Sequence, residues 1–232
     1  DNDDWVSTSF LKKIDDAIIK NQTNCIIYDY LITNGEKTEN GKSMYRSRYG
    51  YVSVSDCISY VRNHTFGKVY RLDCLCEKKI SYPKLRRCED VAFVCRAIEA
   101  CGGAYYLNEA LYYYFQRKNS LSNNIKLDES DMIKAFAILE KKLGINYPGE
   151  LKEKSVTDIL YGVLLMMCKS GKSNKEIKKY IRSYEKKYPE WWKSEIINDV
   201  GNAKRVFFMM ARYKNIAGLK ALAYIHSQII GG

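Results

Sequence analysis

Cys88-Glu89-Asp90-Val91-Ala92-Phe93-Val94-Cys95-Arg96-Ala97-Ile98-Glu99-Ala100-Cys101-Gly102-Gly103-Ala104-Tyr105-Tyr106-Leu107 is the stretch whose reading decides the fold. Val91, Phe93, Val94 and Ile98 recur at helical spacing directly after two acids, so the spacing predicts a helix over Glu89–Ala100. Acids in a first turn favour the helix dipole, and Gly102-Gly103 supplies a stop. Ala104–Leu107 and Leu111–Phe115 then read as two short strands joined by an Asn108-Glu109 turn. A helix that hands the chain to β-rich segments makes this part mixed α and β.

The same texture extends upstream. Phe10, Leu11, Ile14, Ala17 and Ile18 lie at helical spacing in Ser9–Gln22, with Ser7, Thr8 or Ser9 available as a cap. Cys25–Ile32 is β-rich and ends at Asn34-Gly35; a second Tyr-rich run over Met44–Val54 completes what reads as a hairpin with a long tip. A short helix near Ser55–Val61 precedes a loop carrying Lys68.

Downstream the texture changes. Asp128-Glu129-Ser130 opens a helix through Leu143, Val156–Lys169 reads as a very apolar helix, and Lys175–Lys187 as a charged one. Ile196–Ile230 is helical in bulk, with a break near Asn215. Residues 1–127 are therefore expected to form one α/β domain and residues 128–232 an all-helical region. The formal charge of +11 is uneven, with 19 Lys/Arg against 12 Asp/Glu in residues 128–232 and 19 against 15 before them. An anionic membrane face or nucleic acid would suit that excess, and so would a plain solvated helix surface.

Several classes are disfavoured. No apolar run reaches the ~20 residues of a membrane span, and no signal peptide opens the chain. The eight cysteines mostly sit in apolar stretches such as Cys25-Ile26-Ile27, where a thiol acts as a small hydrophobe. Without a paired C-x-x-C they read as free thiols rather than as zinc ligands or disulfides. Ser170-Gly171-Lys172-Ser173 imitates the end of a phosphate-binding loop, but Met166 stands where its first Gly belongs and an apolar helix precedes it. The 20 tyrosines sit mostly in core strands, which argues against base stacking and nucleic acid.

Four motifs in order carry the chemistry. Asp1-Asn2-Asp3-Asp4-Trp5 is a D-x-D with a further acid and an aromatic; such oxygens suit a hard divalent cation. Phe66-Gly67-Lys68-Val69-Tyr70-Arg71 follows, then Glu89-Asp90, then Leu111-Tyr112-Tyr113-Tyr114 with Arg117 and Ser120-Leu121-Ser122. Each alone has a bland reading: a solvated or capping acid cluster, a solvated loop lysine, acids in a helical first turn, a core strand with a surface arginine.

Together the motifs resemble the part of a family-2 glycosyltransferase of the GT-A fold that runs from its D-x-D onward, over residues 1–124. The resemblance implies an α/β fold: a partial GT-A domain lacking the nucleotide-binding half that precedes the D-x-D, followed by the helical region. A metal motif at the first residue and the missing initiator Met point to a piece of a longer chain. By resemblance, Asp3 and Asp1 hold Mn or Mg, and Asp1, Lys68 and Arg117 face the donor diphosphate. Asp90 is the base with Glu89 beside it, and Asp4, Trp5 and Ser120 support the site or its acceptor side. Cys88 and Gly67 depart from the residues most frequent in the family at those positions.

The implied activity is inverting, metal-dependent transfer of a sugar from a nucleotide-diphosphate donor to a hydroxyl of a saccharide or lipid-linked saccharide. This would serve surface polysaccharide synthesis, in the cytoplasm or peripherally at the inner membrane face, and the chain alone is expected to be inactive. The other reading is a non-catalytic module, in which a basic helical region on a truncated transferase fold engages a membrane or an acidic partner. The apolar set Val206, Phe207, Met210, Ile216, Leu219, Leu222, Ile225 and Ile229 would then lie on a bilayer or, alternatively, pack on the transferase core.

Overall fold

The computed structural model describes residues 3–46, 48–116 and 129–231, with side chains of the last helix placed through residue 228. The chain divides into two compact units, one of Asp1–Lys84 with Glu89–Arg117 and one of Leu85–Cys88 with Lys118–Gly232.

The first unit is built on a six-stranded sheet. Its strands are β1 (Trp5–Val6), β2 (Cys25–Thr33), β3 (Thr38–Gly41), β4 (Gly50–Val52), β5 (Lys68–Tyr70) and β6 (Ala104–Phe115). β2 and β6 run parallel at its centre, from Ile26 opposite Tyr105 to Thr33 opposite Phe115. β1 and β4 line the far side of β6 in succession, and β5 and β3 line the far side of β2, all antiparallel.

Helices α1 (Phe10–Asn21), α2 (Val54–Tyr60), α3 (Leu72–Glu77) and α4 (Glu89–Ala100) surround the sheet. Ile14 and Ala17 of α1 pack with Ile26, Tyr28 and Leu111 in one buried cluster, while Leu11 stays 79% exposed. That is the inward stripe and outward face of an amphipathic helix. α4 buries seven of its twelve residues, among them Val91, Phe93, Val94 and Ile98, and ends on glycines 102 and 103 at φ 79° and 114°. A Cβ at Gly103 would come within 2.8 Å of the Val52 carbonyl, so a residue without a side chain is needed where α4 turns into β6.

Two strand expectations are corrected. Ala104–Phe115 is one strand rather than two, because pairing with β2 continues on both sides of Asn108-Glu109 and the irregularity is absorbed as register shifts around Asp29. The hairpin partner of β2 is Thr38–Gly41, and Gly50–Val52 pairs with β6 instead. Lys68, expected in a loop, begins β5.

The second unit contains α5 (Ser130–Leu143), α6 (Pro148–Ser155), a π-helical segment (Val156–Val163), α7 (Leu164–Lys169) and α8 (Asn174–Lys187). A single turn (Trp191–Lys193), α9 (Ile196–Asp199), α10 (Asn202–Arg212) and α11 (Ile216–Gly231) complete it. The apolar helix thus starts earlier than Val156, where Pro148 enters at the first turn, a position that needs no N–H. Trp191, Phe136, Phe208, Leu139 and Leu160 are fully or almost fully buried within this unit.

Ser170–Ser173 is a turn between helices. Gly171 takes φ 75°, and Ser173 and Glu176 form a reciprocal capping box at the start of α8. Phe207, Ile216 and Leu219 of the C-terminal apolar set are buried where α10 and α11 pack on each other, on α7 and on the π-helical segment. That part of the face is thereby used inside the helical unit, whereas Val206 and Ile225 remain 38% and 52% exposed. Among the described residues no helix is long and apolar enough to cross a membrane, and none of the eight cysteines is in a disulfide.

Candidate functional site

The acidic N-terminal motif is fastened to the end of β6. Asp4 accepts from the Tyr112 hydroxyl at 2.6 Å and from the Phe115 N–H at 2.8 Å, so each of its carboxylate oxygens has a protein donor. Trp5, opposite Tyr113 in the strand register, stacks on that ring at 5.0 Å and remains 46% exposed. Alternation along β6 sends Tyr112 and Tyr114 to the other face. Both hydroxyls are held above their usual pKa, by burial first and then by the charges of Asp4 and Asp3. Asp3 is therefore placed in the field of the same two tyrosines.

On that face Phe66 stacks on Tyr112 at 5.0 Å and on Tyr114 at 5.3 Å, and the His64 ring lies on Phe66 at 4.2 Å. Sequence reading missed this aromatic column, although His64-x-Phe66 and Tyr112-x-Tyr114 each carry the alternation that builds it. Gly67, at φ 75°, carries the chain past it; a Cβ there would meet the Ser43 hydroxyl at 2.4 Å and the Tyr28 carbonyl at 3.0 Å. The Gly67 carbonyl accepts from the Tyr28 N–H at 2.9 Å.

Lys68 is 7% exposed, and its ammonium donates to the His64 carbonyl at 2.7 Å and the Phe66 carbonyl at 3.4 Å. The ammonium also comes within 3.4 Å of His64 Nδ1, so Lys68 helps to fix the backbone and the ring that build the column. Burial, with Lys68 adding to it, pushes the His64 imidazole down to about 2, so this histidine is neutral.

Glu89 and Asp90 open α4, half-buried, with an Asp90 carboxylate oxygen accepting from the Val91 N–H at 2.9 Å. Cys88 just before them takes φ 60°, a left-handed conformation that costs a non-glycine residue about 1–2 kcal/mol. Tyr82 flanks the pair: its pKa is raised by burial and then by Asp90 and Glu89. Tyr82 stacks on Phe93 at 4.0 Å, and Phe93 meets Tyr70 edge-on. Phe66 of the Phe66–Arg71 segment thus packs on the tyrosine that holds Asp4, and Tyr70 meets Phe93, which stacks on the Tyr82 that feels Glu89 and Asp90.

A further carboxylate had no signal in the sequence. Asp29, 4% exposed in mid-β2, accepts from Tyr106 at 2.5 Å, Lys42 at 2.7 Å, the Ser43 N–H at 3.1 Å and Tyr49 at 3.2 Å. It ties the 42–49 segment and β6 to β2.

Asp1, Arg117 and Ser120 lie outside the described residues. Among the described residues no group of three His, Cys, Asp or Glu side chains could hold a metal ion. Asp4 already has a donor on each oxygen, and Asp3 lies in the field of the same tyrosines. Its surroundings of carboxylate and phenol oxygens have the hard-donor character that Mg or Mn requires.

No protein-family model matches the chain, and no curated protein matches it in sequence. Solved structures do. The crystal structure of S. aureus TarS 1–349 in complex with UDP-GlcNAc is similar over 98% of this chain and 66% of that one, with 17% identity and a TM-score of 0.57. The complex of the same TarS segment with UDP is similar over 97% and 64%, with 15% identity and a TM-score of 0.51. The chain thus spans a little under two thirds of the length of those TarS chains. At such identities the likeness concerns the fold: a mixed α/β unit with a six-stranded sheet, accompanied by many helices, in a glycosyltransferase-like architecture.

Proposed function

We propose that this chain is part of a glycosyltransferase that moves a sugar from a nucleotide-diphosphate donor to an acceptor hydroxyl with inversion, in the synthesis of a surface polysaccharide. The observation that carries this reading is the likeness, over nearly the whole chain, to a protein captured with UDP-GlcNAc. The ordered acidic motifs of this sequence, Asp3-Asp4 and Glu89-Asp90, support it.

In the proposed reaction the acceptor oxygen attacks the anomeric carbon as the bond from that carbon to the diphosphate oxygen breaks. The hydroxyl proton passes to the Asp90 carboxylate, and the nucleoside diphosphate leaves with the bonding pair. A carboxylate suffices as base because it acts while the new bond forms. Asp3, with Asp1, would hold a divalent cation, which when bound supplies charge neutralisation to the departing diphosphate. Asp4, Lys68 and Phe66 position the motif: Asp4 ties the acidic turn to β6, and Lys68 locks the carbonyls on either side of Thr65, keeping Phe66 against Tyr112.

The test uses the complete protein with a panel of nucleotide-sugars and follows release of nucleoside diphosphate. Turnover that is lost in Asp90→Asn and requires Mg or Mn supports the reading. Absence of both donor binding and turnover across the panel defeats it.

A further inference from the structure

The helical unit carries a cleft that the transfer chemistry does not use. Two cavities of about 470 and 310 Å³ meet at Trp192, Arg212 and Tyr213. The Arg212 guanidinium lies over the Trp192 ring at 5.0 Å and over the Tyr213 ring at 5.7 Å. Tyr213 is 72% exposed, and Trp192 is half-buried.

Carboxylates are close by, but they are engaged elsewhere. Glu185 pairs with Lys214 at 2.8 Å and Glu190 with Lys193. Among the described residues Arg212 has no ion pair, so a cation with a flat, weakly hydrated face is held between two aromatic rings without an anion. Trp191, fully buried, lines the smaller cavity beside Trp192.

We infer that this cleft binds an acidic saccharide, with sugar rings against Trp192 and Tyr213 and a carboxylate or phosphate of the same chain on Arg212. The C–H faces of a pyranose match exposed aromatic faces, and the guanidinium fork matches a planar or tetrahedral oxyanion. The two cavities give room along the ligand in the range usual for small-molecule sites. Glu185 and Glu190 on the rim, each already paired with a lysine, present carboxylate oxygens that can accept hydrogen bonds from sugar hydroxyls. Under the transfer reading this ligand is the growing acceptor. That role rests on the proposed function, whereas the binding itself does not.

The experiment is calorimetric titration of the full chain with tetragalacturonate, a phosphorylated maltotetraose, uncharged maltotetraose, inorganic phosphate and UDP. The first two probes separate a carboxylate from a phosphate as the anion. The expected result is that at least one acidic oligosaccharide binds, more tightly than maltotetraose. Arg212→Gln and Trp192→Leu should each weaken that binding at least tenfold with unchanged thermal midpoints. Arg212→Gln, an exposed-side change, keeps the test decisive if Trp192→Leu perturbs the fold. The inference is overturned if neither acidic oligosaccharide binds, if binding is indifferent to Arg212→Gln, or if inorganic phosphate binds as tightly as the oligosaccharide. It is equally overturned if UDP is the probe whose affinity falls in that variant. UDP binding retained in Arg212→Gln, with saccharide binding lost, separates this cleft from the donor site; failure of UDP binding in every form counts against the transfer reading alone.

Discussion

Asp4 and Tyr112, 108 positions apart, are joined by a 2.6 Å hydrogen bond from the tyrosine hydroxyl to the carboxylate. Asp4→Ala also loses the bond from the Phe115 N–H, leaving a strand-end donor and a phenol without their acceptor. Hydrogen bonds to a charged group contribute about 1.5–3 kcal/mol each. Asp4→Ala is therefore expected to destabilise the sheet unit by about 2–4 kcal/mol and Tyr112→Phe by about 1–2. In urea titrations the double variant should lose less than the sum of the two; strict additivity would mean that the contact carries no coupling.

Asp90→Asn keeps the size of the side chain and removes its basicity. In the complete protein it is expected to lower kcat by at least about a thousandfold while donor affinity stays within about twofold, because a base acts on the chemical step. Asp3→Ala should instead weaken donor binding, and only when Mg or Mn is present. Comparable turnover of Asp90→Asn and wild type would remove Asp90 from the reaction.

His64 makes the sheet unit acid-sensitive. Its pKa is lowered in the folded state, to about 2, by burial and by Lys68, so the unfolded chain takes up the proton first as pH falls. Stability is unaffected above the unfolded value near 6.5 and declines below it, by up to about 1.4 kcal/mol per pH unit. The difference in unfolding free energy between wild type and His64→Gln, followed from pH 7.5 to 5, should shrink on acidification. A difference that stays constant would show that His64 does not exclude the proton.

Within the helical unit, Lys154 and Asp158 form an ion pair at 3.1 Å, 1% and 5% exposed, where α6 passes into the π-helical segment. Asp158→Ala leaves an ammonium buried without that counter-charge and is expected to cost about 3–5 kcal/mol. The pair Lys154→Met with Asp158→Leu, which removes both charges, should be far milder. Denaturant midpoints of the two forms decide it: equal losses would mean that packing, not charge, is what the pair provides.

Helices were the most legible part of the chain, for a physical reason. Glu89–Ala100, Lys175–Lys187 and the break near Asn215 follow from side-chain spacing and glycine or polar punctuation, both local properties. Strand partners are not local. Gly50–Val52 has the composition of a hairpin arm, yet it pairs with β6 because β3 already occupies the neighbouring edge of β2. The site was legible only as motifs. Sequence order marked Asp3, Asp4, Glu89 and Asp90 as acids of interest, but it could not show that Asp4 spends its oxygens on β6 or that Lys68 turns its ammonium onto nearby carbonyls. Asp29 was invisible because a lone acid inside an apolar run reads as an exception until its four donors arrive from elsewhere in the chain.

Those four donors restrict how this sheet can change. Every group facing Asp29 is a donor, so an amide in its place would set N–H against N–H or O–H, and an apolar residue would strand several partners at once. Lys42, Tyr49 and Tyr106 face the same restriction in reverse: if Asp29 alone is replaced, Lys42 and Tyr49 keep only each other and Tyr106 loses its carboxylate acceptor. The four side chains therefore form a unit of covariation, and a working variant of this fold without the carboxylate must have replaced its neighbours as well.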